Sequence, residues 1–208
     1  ELDLVHDVGK VTNDSREYLL NIARSANEAS SQVRQAWENY SSPVDYGVNS
    51  LDLPKVVSLI DAGMPTKLYY VSYRNNAFDT HVFQNNVHRR LLTYTSDAVF
   101  AFLQDLERIG RADDVALMIF SEFGRRVPEN DNLGTDHGAA NNMFVVGNQV
   151  KGGHYGELPS LTKLNPEDNL AYTTDFRRVY QTVIEGWLGH RGSGELLGGN
   201  YQPFDMFA

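Results

Sequence analysis

The chain has 208 residues, of which 41% are hydrophobic and 22% charged, enough for one ordinary domain with a sizeable core. Its formal charge of -9 argues against nucleic acid as a partner, because phosphate binding needs clustered Lys and Arg. The absence of cysteine excludes thiol catalysis, Cys-ligated zinc, iron–sulfur clusters and disulfides.

No apolar run reaches the length of a membrane span. The first residues have neither a basic n-region nor an apolar h-region, so they are not a signal peptide. A start at Glu1 rather than Met is expected to mark a piece of a longer protein. Residues 13–39, rich in Ala, Glu, Gln and Arg, read as a helix, with Leu19, Leu20, Ile22, Ala23 and Ala26 on overlapping faces. Pro43 and Gly47 mark residues 40–47 as a loop. A second helix is predicted from Leu53 to Ala62 on the stripe Val56, Val57 and Ile60, with Gly63 as its C-terminal cap.

Residues 67–73 are aromatic and β-branched, as a strand should be. A long helix follows over 85–109, where Leu91, Leu92, Thr95, Val99, Phe102, Leu103 and Leu106 recur at three- and four-residue steps. The run Val115 to Phe120 is nearly all apolar, the mark of a strand buried on both faces, and Met143 to Val146 is a shorter one. Residues 175–188 read as a closing helix with Phe176, Val179, Tyr180, Val183, Ile184 and Trp187 inward, Thr173 or Thr174 capping it and Asp175 favourable to its dipole. Strands separated by helices predict an α/β fold, a sheet with helices on its faces and a ligand crevice beyond the carboxyl ends of the strands.

Polar clusters follow two of the predicted strands. Asp79-Thr80-His81 sets a carboxylate and an imidazole two residues apart, and Ser121-Glu122-Phe123-Gly124-Arg125 follows the apolar run. A third segment is Gly134-Thr135-Asp136-His137-Gly138. Two His and three carboxylates suit a divalent ion such as Zn, Mn or Mg, or Fe. Arg125 and Arg126 have the fork geometry that clamps a small anionic ester. The plainer reading is that Asp and His at loop starts cap helices or bond to turns. Lys151-Gly152-Gly153-His154 lacks the context of a phosphate-cradling loop and reads as a turn. His88 falls in the long helix facing solvent or a neighbour, and His6 and His190 lie near the ends. No Gly-x-Ser-x-Gly elbow is present, which disfavours a serine-hydrolase triad.

These segments, Phe78-Asp79-Thr80-His81-x-x-Gln84, Ser121 to Arg125, Asn130 and Gly134 to Gly138, together with Val150 to Gly153, Tyr155-Gly156 and Thr174 to Arg177, resemble the bacterial domain of unknown function 1501 family. The likeness runs over roughly residues 50–190. That family is generally placed in the alkaline phosphatase and sulfatase superfamily. The resemblance implies a mostly parallel sheet flanked by helices. It implies that 1–208 forms a single α/β domain, the C-terminal part of a longer alkaline-phosphatase-like domain, with 1–49 as a helical lead-in. It implies a metal-dependent hydrolase of phosphate or sulfate esters, with Asp79, His81 and His137 as ligands of a divalent metal, Zn foremost. Glu122 and Asp136 would assist as a further ligand or by bonding to the ligands, and Arg125 would steady the anion. It further implies a periplasmic or exported location. Phe123 stands where the superfamily has a His, and the spacing Asp79-x-His81 is shorter than in the phosphatases. The nucleophile belongs to an N-terminal half with no match before residue 50. A non-catalytic exported protein with a decayed site is the rival expectation.

Overall fold

The structure is a computed structural model that describes residues 13–208. Helix α1 spans Asn13–Asn39 and α2 spans Leu53–Asp61. Helix α3 spans Gln84–Arg108 and a 3-10 turn follows at Ala112–Asp114. The strands are β1 (Leu117–Ile119), β2 (Gly124–Arg125), β3 (His137–Gly138) and β4 (Phe144–Val146). Helix α4 (Phe176–Thr182) runs on into a π turn at Val183–Trp187, and α5 is Ser193–Leu197. No helix among the described residues is long and apolar enough to cross a membrane.

The chain divides into two compact units. Among the described residues, one is formed by 13–43 with Pro54–Tyr69, the other by Val44–Leu53 with Tyr70–Ala208. In the first, Lys55 on α2 places its ammonium 5.3 Å from the ring centroid of Trp37 on α1. Val57 and Ile60 are buried. Helix α2 ends as its sequence predicts: Gly63 takes φ +68°, its N–H donates to Ile60 O, and Met64 N–H donates to Leu59 O. This is the paired closure that satisfies the last carbonyls of a helix. Gly110 closes α3 in the same way, with Arg111 N–H donating to Leu106 O.

In the second unit α3 buries Ala98, Ala101, Phe102, Asp105 and Leu106. Leu92, placed on the predicted stripe, is exposed instead. The Asp105 carboxylate is buried but paired, accepting from the Tyr46 hydroxyl at 2.7 Å and from Arg108 Nε at 2.8 Å. A buried charge of this kind is tolerable only with such partners. The C-terminal tail is tied down by polar side chains of α4: Tyr201 N–H donates to Gln181 Oε1 at 2.7 Å, and Phe204 N–H to Thr182 Oγ1 at 2.9 Å. Gln181 Nε2 in turn donates to Glu185 and Asn200, and Ser193 Oγ to Glu185.

The expected mostly parallel sheet flanked by helices is not what forms. Among the described residues there are two short two-stranded ladders, β1 with β4 and β2 with β3, and both are antiparallel. Residues 67–73 form no strand. Leu68 and Tyr70 are each 77% exposed, so their β-forming side chains have no ladder neighbour to pair with. The run at 115–120 shortens to three residues of intermediate burial, because its one neighbour, β4, leaves its other edge unpaired. The closing helix also starts differently. Asp175 itself is the N-cap, accepting from Arg177 N–H, in place of Thr173 or Thr174.

Candidate metal centre

The β2–β3 ladder brings the second and third polar clusters together. Gly124 pairs with Gly138 and Arg125 with His137. The first cluster reaches the same place because the loop at 129–136 is fastened to the start of α3. Helix α3 has no side-chain cap, and Phe83 before it takes φ 46°. The N–H of Phe83 donates to Asn132 O at 3.0 Å and that of Gln84 to Leu133 O at 2.9 Å. Backbone carbonyls thus satisfy donors that a helix start leaves open. Gly134 is obligatory in this approach: a Cβ there would lie 2.3 Å from His81 O.

The result is a triangle of atoms from two distant segments. His137 Nε2 lies 2.7 Å from Asp79 Oδ1, His81 Nε2 lies 3.0 Å from the same oxygen, and the two Nε2 atoms are 3.1 Å apart. Three lone-pair atoms crowded this closely resemble the face of a tetrahedral site. With metal–nitrogen bonds of about 2.0–2.1 Å, the edges of such a face are about 3.3 Å, so a slight opening would admit an ion. The three side chains are 35–46% exposed, which leaves the fourth direction open to solvent. Asp79, His81 and His137 are the group among the described residues with metal-ligand character and mutual reach.

Asp79 titrates below the usual carboxylate range, held down first by the hydrogen bond from His137 and then by that from His81. Asp136 is also lowered, chiefly by Asn130 Nδ2 donating to its Oδ1 at 3.2 Å, with His81 and Arg126 adding to it. That same oxygen sits 3.6 Å from His81 Nδ1. A carboxylate there favours the tautomer that leaves the Nε2 lone pair toward the triangle. The plane of His137 is set by Phe123, stacked on it at 3.8 Å and 12°. Phe123, which cannot ligate, therefore orients a residue that can.

Arg125 is placed differently from its expected role as an anion clamp. One guanidinium nitrogen donates to Thr135 O and the other to Phe78 O, both at 2.6 Å. Its carbon lies 5.2 Å from the Phe123 centroid. Arg126 donates to Glu167 O at 2.8 Å. Glu122 stays outside the triangle, exposed beside Ser121 Oγ at 3.5 Å. His88 is half-buried edge-on to Phe78, and burial first, then the Arg125 charge, lowers its pKa. His154 is exposed in its loop. Sequence reading gave no roles to Phe78, Gln84 and Asn130. Their signal was confined to their fixed spacing in the motifs, with no hint of which backbone groups they would meet.

No curated protein and no solved structure matches the chain. Residues 59–184 match the family described as protein of unknown function (DUF1501). This stretch contains the whole triangle and every residue that braces it, and the chain belongs to that family.

Proposed function

We propose that this chain holds one divalent metal ion, zinc foremost with manganese or magnesium as substitutes, on Asp79, His81 and His137, and serves the hydrolysis of phosphate or sulfate esters. The observation that carries the reading is the triangle of Oδ1 and two Nε2 atoms within 2.7–3.1 Å, open on one side. Two imidazoles and a carboxylate are a borderline donor set, and three protein ligands with a free position is the arrangement of hydrolytic sites. An ion there supplies Lewis acidity to an ester oxygen. In the metal-free chain hydrogen bonds from the two imidazoles hold the Asp79 carboxyl below its usual range, so it is already ionised when an ion arrives. Asp136 orients His81, and Phe123 orients His137. The resemblance of the motifs to a family generally placed with the alkaline phosphatases and sulfatases supports the ester class. It also supports an exported location as part of the same proposal.

A second reading, a metal-binding protein without turnover, is favoured by one observation. The guanidinium expected to steady an anion is bonded to two backbone carbonyls. Metal analysis after exposure to Zn, Mn and Mg, beside the His137→Ala variant, tests the shared part. Stoichiometric metal lost in the variant is expected, and metal-free protein in both cases would overturn the site. Ester hydrolysis by the metal-loaded chain then separates the first reading from the second.

A further inference from the structure

Three polar side chains each touch both segments that carry the ligand atoms. Arg125 donates to Phe78 O on one side and Thr135 O on the other. Gln84 donates to Thr80 Oγ1 at 2.9 Å and accepts from Thr135 Oγ1 at 2.8 Å. Asn130 donates to His81 O at 3.1 Å and to Asp136 Oδ1 at 3.2 Å. The orientation of its amide follows from its other contacts, since its Oδ1 accepts from Asn132 N–H and Gly134 N–H, both at 3.0 Å. Gln84 is likewise fixed, as the first residue of α3 with its own N–H on Leu133 O.

The ligands His81 and His137 lie 56 residues apart in the chain, His81 on a loop and His137 where the 129–136 loop enters the two-residue strand β3. Loops supply a metal site only when something holds their donor atoms to within about 0.5 Å of the working geometry. Here the bonds converge from three directions on 78–81 and on 135–137, so neither segment can slide without breaking several of them. We propose that Arg125, Gln84 and Asn130 are positioning residues that lock the two ligand loops in register and so set the affinity of the triangle for a divalent ion. The affinity part rests on the metal reading above; the register part stands on the hydrogen bonds alone. Arg125 is then a brace rather than a substrate contact. Only a planar fork reaches two carbonyls at once, which a lysine ammonium does not reproduce.

The test uses the full chain with Arg125→Lys and Thr135→Val, the latter removing only the hydroxyl bonded to Gln84. Cobalt(II) serves as the probe, read by its visible absorption. In the metal-free proteins, the nuclear Overhauser cross-peak between the rings of His81 and His137, 4.8 Å apart between centroids, reports loop register. Cobalt affinity should fall about 10- to 100-fold in Arg125→Lys, the range for lost outer-shell partners, and less in Thr135→Val. The cross-peak should weaken in both. Unchanged affinity and cross-peak in the folded variants, with only a lower melting temperature, would overturn the proposal by leaving these groups a general structural role. If the wild type binds no cobalt, the metal reading falls and the cross-peak alone decides: its loss supports the brace, its retention overturns it. Should Arg125→Lys fail to fold, Thr135→Val carries the test.

Discussion

At the scale of single residues, His137 shows how little of a site's meaning lies in the residue itself. Its imidazole is stacked on Phe123, touches Asp79 and lies across the ladder from Arg125. Gly134, three residues earlier, is as decisive although it has no side chain. Gly134→Ala places a Cβ against the His81 carbonyl, backbone that cannot swing aside, so the loop must back away. We expect reduced thermal stability together with weakened metal uptake, measured by a melt and a cobalt titration on the same sample. Asp175 offers a separate test. Its carboxylate caps α4 and pairs with Arg177, and Arg177 lowers its pKa. Asp175→Ala should cost about 1 kcal/mol in denaturant melts at neutral pH. Because the folded pKa lies below the unfolded value of about 3.9, that contribution is present above this value. It disappears as pH falls through the folded pKa, and wild type and variant should converge there. The residue types Asp, His and Glu were legible as ligand candidates from their chemistry. Arg125 was legible as a cation but not as a brace, because whether a guanidinium meets an anion or two carbonyls depends on loops far apart in sequence.

The elements divide by the range of the forces that make them. Helices α1, α2 and α3 lie within a residue of their predicted bounds, since apolar periodicity and a following glycine are local signals. Strands are different: a β-rich segment becomes a strand only where another segment pairs with it, and residues 67–73 find none. The connection that makes β1 and β4 antiparallel carries β2, β3 and His137, and no local pattern encodes it. The helices also differ in how much they bury. Leu106 on α3 is fully buried, and Leu106→Ala should lower stability by about 2–5 kcal/mol. Helix α1 is the contrary case. Its residues 14–30 are exposed throughout, including Tyr18 at 66%, Leu19 at 60% and Ile22 at 49%. No described residue covers that face, so the pair Leu19→Lys and Ile22→Lys should change the stability of this chain by less than about 0.5 kcal/mol. A loss comparable to that of Leu106→Ala would mean that the face is covered in solution.

For the whole molecule, the triangle and its braces all belong to the unit formed by Val44–Leu53 and Tyr70–Ala208. An ion bound there stabilises that unit over its unfolded chain by mass action, by about 2.7 kcal/mol at a free concentration one hundred times the dissociation constant. The unfolded chain cannot offer the same site, because His81 and His137 are brought together by the ladder, by the loop fastened to α3 and by the bracing side chains of the folded chain. Zinc or cobalt should therefore raise the melting temperature in a concentration-dependent way. The formal charge of -9 supplies a competing cause, since an acidic surface gathers cations without any site. Two comparisons separate them. His137→Ala leaves that acidic surface in place but removes a corner of the triangle, so site binding loses its thermal shift and diffuse binding retains it. Salt screens diffuse attraction over about 10 Å at 0.1 M and leaves direct ligation largely intact. A shift that survives 0.1 M salt in the wild type and vanishes in His137→Ala is the expected result. A shift of equal size in both proteins, abolished by salt, would assign the cation to the surface and remove the triangle from the chemistry of this chain.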